Sequence, residues 1–180
     1  MKTTMPQGKE PAMPAVKRID IRTETPGDIP GIRLVEAEAF PTHAEADLVA
    51  RLREDGSAVL SLIAVLDRQV IGHAMFSRMQ EPRGSLGLGP VAVLSAHRRR
   101  GVAAGLIREG LSRAKADGWA AVFVLGDPAY YGRFGFSAAL AAGFGSPYAG
   151  PHLMGLELQA HSLAAKTGTL SYPQAFADLD

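Results

Sequence analysis

The chain has 180 residues, 47% of them hydrophobic and 21% charged, with a formal net charge of +1. That length suits one domain with a full core, and the near-neutral charge argues against a general nucleic-acid binder, whose footprint is basic. With no cysteine, disulfides, thiolate nucleophiles and cysteine-ligated metals are excluded, and nothing points to an oxidising compartment.

The first 17 residues carry Pro6, Pro11 and Pro14 among Lys2, Lys9 and Glu10, with no apolar signal core. They are expected to form a disordered tail, 1–17, ahead of a single domain, 18–180. No run approaches the ~20 apolar residues of a spanning helix, so the expected address is the cytoplasm. Residues 18–24 alternate apolar and polar, the pattern of a strand. Thr25-Pro26 opens a helix, with Thr as N-cap and Pro in the first position. Ile29, Ile32 and Val35 or Glu36 follow at helical spacing as far as Phe40-Pro41. Thr42-His43-Ala44-Glu45 has the form of a capping box and starts a second helix, with Leu48, Val49 and Leu52 on one face, ending near Asp55-Gly56. Residues 57–67 and 69–79 read as two strands of an antiparallel hairpin turning at Asp67-Arg68. Residues 81–84 break the chain. A strand at 88–94, a helix at 101–117 and a strand at 119–125 follow. The last of these is apolar throughout, which implies burial on both faces, as in a parallel pair joined by a crossover. Residues 152–160 read as one more strand, and the tail 171–180, with Tyr172, Pro173 and Phe176, as packing back on the body. The class is α/β or α+β: a mixed sheet with helices on both faces.

Two segments carry chemistry. Arg98-x-x-Gly101-x-Ala103 precedes a helix whose apolar stripe is Val102, Ala103, Leu106, Ile107, Leu111 and Ala114. A helix start leaves N–H groups unpaired and adds partial positive charge, so phosphate binds there readily. Gly101, Ala103 and Ala104 allow close approach, and Arg98, Arg99 and Arg100 offer charge-assisted contacts. A solvated turn before an ordinary helix is the competing reading for so short a motif. No Gly-Lys-Ser/Thr follows, as a Walker loop needs, and Gly84, Gly87 and Gly89 precede the strand where a Rossmann fingerprint would follow it. The second segment, Tyr130-Tyr131-Gly132-Arg133-Phe134-Gly135-Phe136, follows the buried strand. Asp127-Pro128 caps a short helix there, and Gly132 and Gly135 turn the chain back towards a final strand. Phe134 and Phe136 read as core. Both segments fall at strand ends, where ligands collect in such sheets.

Residues 88–136 resemble the GNAT N-acetyltransferase superfamily, most of all its YhbS-like subgroup. The acyl-CoA signature Q/R-x-x-G-x-G/A is matched by Arg98-Arg99-Arg100-Gly101-Val102-Ala103. Leu88-Gly89-Pro90-Val91-Ala92-Val93 is similar to the pantetheine-binding strand, and the segment 130–136 to the closing tyrosine-x-x-x-Gly-Phe motif, with Tyr131 at the tyrosine position. Residues 57–79 add a family-like hairpin. One departure stands out: many members place an Asn seven residues before the tyrosine, and here Gly126-Asp127-Pro128 makes a shorter connection.

The resemblance implies a mixed, mostly antiparallel sheet with a V-shaped splay between two central strands. It also implies direct transfer of an acetyl group from acetyl-CoA to a primary amine of a small molecule or protein, with no metal. The backbone of Val91, Ala92 and Val93 would pair with the pantetheine arm, and the amides of Arg99 to Ala104 would hold the pyrophosphate, with Arg98, Asp127 and Tyr130 beside it. Tyr131, protonated at neutral pH, would be the general acid for the leaving sulfur. An acceptor amine near ~10.4 must lose a proton before attack. Glu36, His73, Glu157 or bound water could take it. His73 also reads as a structural histidine, and Glu36 and Glu38 as ordinary charges on a helix whose end often shapes the acceptor site in this family. The competing functions are a non-catalytic acyl-CoA sensor, which needs no proton donor, and a nucleic-acid patch at the triple arginine, which the charge balance opposes. Neither nucleic acid nor membrane is an expected partner, and monomer and homodimer are both open.

Overall fold

The computed structural model describes residues 18–179. The segment 1–17, expected as a disordered tail, lies outside the described residues, as does Asp180. Strand β1 (Asp20–Thr23) leads through a 3-10 turn, Pro26–Asp28, into α1 (Ile29–Ala39). Then come α2 (Ala44–Glu54), β2 (Ala58–Leu66), β3 (Gln69–Arg78), β4 (Ser85–Val93) and α3 (Val102–Ala116). Beyond β5 (Ala121–Leu125) lie α4 (Pro128–Tyr131), α5 (Ala138–Ala141), β6 (Phe144–Gly145), β7 (Leu153–Glu157), β8 (Gly168–Thr169) and a last 3-10 turn, Gln174–Asp178.

A six-stranded sheet runs in the order β1-β2-β3-β4-β5-β7, and β6 with β8 forms a separate pair. Within the larger sheet every neighbour is antiparallel except β4 and β5. The crossover expected from the apolar run is therefore present, and Ala121, Val122, Phe123 and Val124 are all buried. The hairpin turn is as expected too: Asp67 and Arg68 have φ of 51° and 65°, positive at both central positions, as a type I′ turn requires.

Consecutive side chains on a strand face opposite ways, and β3 shows what covers each side. At Gly72 a side chain would meet Val102 and Leu106 of α3, whereas His73 meets Glu36 of α1. Helices thus cover both faces, and the core is continuous through the sheet, with Leu62, Ile63, Met75, Phe76, Leu106 and Ile107 fully buried.

Three local expectations change. β4 starts at Ser85, three residues before the expected 88, because Ser85–Leu88 already pairs with Ala121–Val124 of β5. Gly87, expected to precede the strand, therefore sits inside it. The ring of Tyr172 occupies its side-chain space, 2.7 Å from where a Cβ would stand. The capping box at 42–45 does not form: His43 is the N-cap of α2, and Thr42 Oγ1 accepts from the Ala44 N–H at 3.3 Å. A reciprocal clasp occurs one helix earlier, where the Asp28 carboxylate accepts from the Thr25 N–H and Oγ1, both at 2.7 Å. Arg22 grips the same carboxylate at 2.8 and 2.9 Å and holds it well below the usual carboxylate range against the opposing effect of burial. The chain after Gly135 makes only a bridge, Ser137 to Gly155, in place of the expected strand. The tail does pack back: the Ala175 carbonyl accepts from Arg51 Nη2 at 3.1 Å.

The feature that makes a site is the divergence of β4 and β5. Their pairing stops at Leu88 with Val124, while β4 continues to Val93 with only β3 beside it. A wedge opens between the two strands.

Candidate active site

Helix α3 starts at the mouth of this wedge. Its N-cap, Gly101, has φ of 79°, and Arg99 before it has φ of 60°. Positive φ at a non-glycine residue is strained backbone of the kind that collects at ligand sites. The first helical bond runs from the Gly105 N–H to the Gly101 carbonyl at 2.9 Å. The amides of Val102, Ala103 and Ala104 therefore have no helical acceptor and carry the positive end of the dipole.

These amides line a cleft of about 580 Å³. One wall is Val91, Ala92 and Val93 of β4; another is Tyr130, Tyr131 and Arg133, after β5; Ala39 and Phe40 at the end of α1 close a third side. The Leu94 N–H donates to the Ile71 carbonyl at 3.0 Å. By the alternation of a strand, Val91 and Val93 turn their backbone groups to the side that β5 leaves uncovered.

The arginines divide. Arg99 lines the cleft. Arg98 also borders it but is already engaged: its Nε donates to the Val93 carbonyl at 3.2 Å and its Nη2 to the Ala39 carbonyl at 3.3 Å. It fastens the loop before α3 to β4 and α1. Arg100 is exposed and is not part of the lining. Asp127, expected at the donor site, instead caps α4, its Oδ1 accepting from the Ala129 N–H at 2.9 Å. Arg133 and His97, which sequence reasoning left out, are brought in. Arg133 stands 3.9 Å over the Tyr130 ring, which holds its charge at the rim.

Tyr131 ends α4 and reaches the cleft because Gly126 lets its ring lie flat on the backbone. A Cβ on Gly126 would stand 2.4 Å from Tyr131 Cε2. Burial, and secondarily Tyr130, pushes the phenol up to about 12. Gly126→Ala is expected to push the Tyr131 ring out of its place in the cleft while leaving the helix-start amides across the gap where they are. A crystal structure of the variant, or the aromatic NMR shifts of Tyr131, checks this.

The carboxylate and histidine candidates are elsewhere. Glu36 and His73 have no exposed side-chain surface (0% each) and do not line the cleft. They belong to a buried polar chain. Two Arg53 nitrogens bond Glu24 at 2.7 and 2.6 Å; Glu24 accepts from the Ser61 hydroxyl; Ser61 Oγ lies 2.9 Å from His73 Nε2; and His73 Nδ1 lies 2.5 Å from Glu36 Oε1. Burial raises the Glu24 carboxyl, and the bonds from Arg53 and Ser61 more than offset it, holding the group below its ordinary value. Ser61, His73 and Glu36 have the connectivity of a serine hydrolase triad, but the hydroxyl proton goes to Glu24 and no cavity reaches it. Glu157 is a clasp: it accepts from Lys166 Nζ and from the Leu163 N–H, and these bonds hold its carboxyl low. Among the described residues no cluster of three or more His, Asp or Glu side chains could hold a metal, and no helix is long and apolar enough to cross a membrane.

A mixed sheet split beside an unpaired helix start, with a phenol across the gap, is an arrangement that fits an acyltransferase. The Acetyltransferase (GNAT) family model matches residues 23–136, and the chain belongs to that family of N-acetyltransferases. It is 46% identical over 123 residues to the uncharacterized N-acetyltransferase YhbS of Escherichia coli (strain K12), covering 66% of this chain and 74% of that protein. The crystal structure of E. coli YhbS in complex with CoA superposes with a TM-score of 0.87 at 36% identity, over 94% of this chain and 97% of that one. A GNAT family acetyltransferase from Brucella melitensis in complex with acetyl-CoA gives 0.75 at 33% identity, over 89% and 99%.

Proposed function

We propose that this enzyme transfers an acetyl group from acetyl-CoA directly to a primary amine. The carrying observation is that unpaired helix-start amides and the Tyr131 phenol open on one cleft beside an uncovered strand edge. The amides of Val102, Ala103 and Ala104, with Arg99, fit the diphosphate of the substrate. The outward backbone of Val91 and the Val93 N–H match the amides of the pantetheine arm as an added strand would, while the Val93 carbonyl is held by Arg98. Relatives solved with CoA and with acetyl-CoA support the same donor here.

The acceptor nitrogen attacks the thioester carbonyl carbon, the C–S bond breaks, the nitrogen gives up one proton and the sulfur leaves as a thiolate that takes one up. Tyr131 serves the sulfur. A phenol at about 12 stays protonated at neutral pH but is a weaker acid than a thiol near ~8.5. Its O–H therefore stabilises the developing thiolate as a hydrogen-bond donor, and the sulfur's proton is balanced by the one the nitrogen sheds. No Asp or Glu lines the cleft, which leaves bound water and His97 of the lining to receive the amine proton, and the pH profile separates the two.

Release of CoA thiol, measured with a panel of small primary amines and amino-terminal peptides, tests the reading. Amine-dependent release is expected; binding of acetyl-CoA with no release for any amine would favour the sensor. With water as acceptor of the proton, kcat/KM is expected to rise about tenfold per pH unit below the amine's own value near ~10.4. Glu157→Gln is expected to leave that profile unchanged, and an inflection lost in this variant would make Glu157 the base.

A further inference from the structure

Glu36 joins two systems. Its side chain ends the buried chain at His73, 2.5 Å away. Its backbone carbonyl accepts from the Phe40 N–H at 3.3 Å and closes the last turn of α1. From that turn two contacts reach the loop before α3. Glu38 Oε1 accepts from the Ser95 N–H and Oγ at 2.8 and 2.7 Å, and the Ala39 carbonyl accepts from Arg98 Nη2 at 3.3 Å. The loop so held delivers Arg99 and Gly101 to the cleft.

We propose that the buried Glu36–His73 pair is a positioning device for the donor site, holding the end of α1 and, through Glu38 and Ala39, the loop that carries the amide cradle. The proposal rests on the reading of the cleft as a CoA site. Proton placement, assigned from the partners, makes the chain stiff. Ser61 gives its proton to Glu24, so its lone pair receives the N–H of His73 Nε2. One proton then lies between Nδ1 and Glu36, and Arg53 anchors the far end. Arg53 on α2, Glu24 after β1, Ser61 on β2, His73 on β3 and Glu36 on α1 are locked together. The pair is not tuned for stability alone, since Glu36 Oε2 is buried with no partner, an arrangement that costs free energy. A buried polar pair kept at such a cost fits a role in specifying geometry.

Calorimetry with CoA on the full chain, beside thermal melts, tests this. His73→Gln and Glu38→Ala are each expected to weaken CoA binding by about 2- to 30-fold, the range for mutations that act through intervening structure. The double variant is expected to be no weaker than the worse single one, because both cut the same strut. A merely structural pair would lower the melting temperature and leave CoA affinity unmoved; that result, or effects of the two variants that multiply, overturns the proposal. If His73→Gln does not fold, Ser61→Ala, which leaves both Glu36 and His73 in place, takes its place: weaker CoA binding supports the role and unchanged binding overturns it. A wild-type chain that binds no CoA overturns the donor-site reading, and this inference with it. A wild-type chain that binds CoA beside an unaffected variant overturns the positioning role alone.

Discussion

Tyr131→Phe is expected to lower turnover by about 10²–10³-fold, the usual contribution of one positioned hydrogen-bond donor to developing negative charge, with CoA affinity unchanged. The substitution removes one oxygen and keeps the ring. The edge-to-face contacts with Tyr130 (centroids 5.1 Å) and Phe136 (5.9 Å) hold the ring in place, so the geometry of the cleft survives. Tyr131 is half-buried, and that burial raises its phenol to about 12, so a bond from it to a developing thiolate is worth more than the same bond in full solvent. Thiol-release rates under saturating acetyl-CoA, with calorimetry for CoA, separate the outcomes. Unchanged turnover removes Tyr131 from the chemistry. Loss of CoA binding makes it a packing residue of the donor site.

The second large effect is on stability. Replacing either Glu36 or His73 alone by Leu is expected to cost about 3–5 kcal/mol, because the remaining partner is left charged or unpaired in the core. Replacing both by Leu removes the desolvation penalty together with the attraction and is expected to be near neutral, or stabilising by about 1–4 kcal/mol. Both residues have 0% exposed side-chain surface, so water cannot rescue the single variants. Urea unfolding read as ΔG from the linear slope and midpoint checks the cycle. Single variants within about 1 kcal/mol of wild type would mean the pair contributes as little as a surface ion pair.

The double Leu variant bears on function as well. If the double variant folds well yet binds CoA poorly, stability and donor affinity have been separated at a single pair, and the pair's geometric role is isolated from its energetic one.

What the linear chain carried was whatever depends on near neighbours. The alternation of residues 18–24 and the apolar run before Gly126 marked strands, because side-chain direction along a strand repeats every two residues. The small residues at Gly101, Ala103 and Ala104 marked the anion-binding helix start, because unpaired amides are a property of any helix end. Tyr131 was visible through the motif around it, and its place in the cleft followed from the strand just before it.

Residues that act through distant partners carried no such mark. Arg98 read as a phosphate ligand, yet folding brings the Ala39 carbonyl, 59 positions away, within its reach. His73 and Glu36 read as possible bases; they are 37 positions apart and meet only when α1 lies across β3, and the same packing that joins them shuts out any acceptor. Ser61, Glu24 and Arg53 gave no signal, since a lone serine or carboxylate in a strand or helix has nothing local to bond. Charge and hydrogen-bonding capacity are written in each residue, but what satisfies them inside a core is chosen by whichever surfaces the packed layers press together.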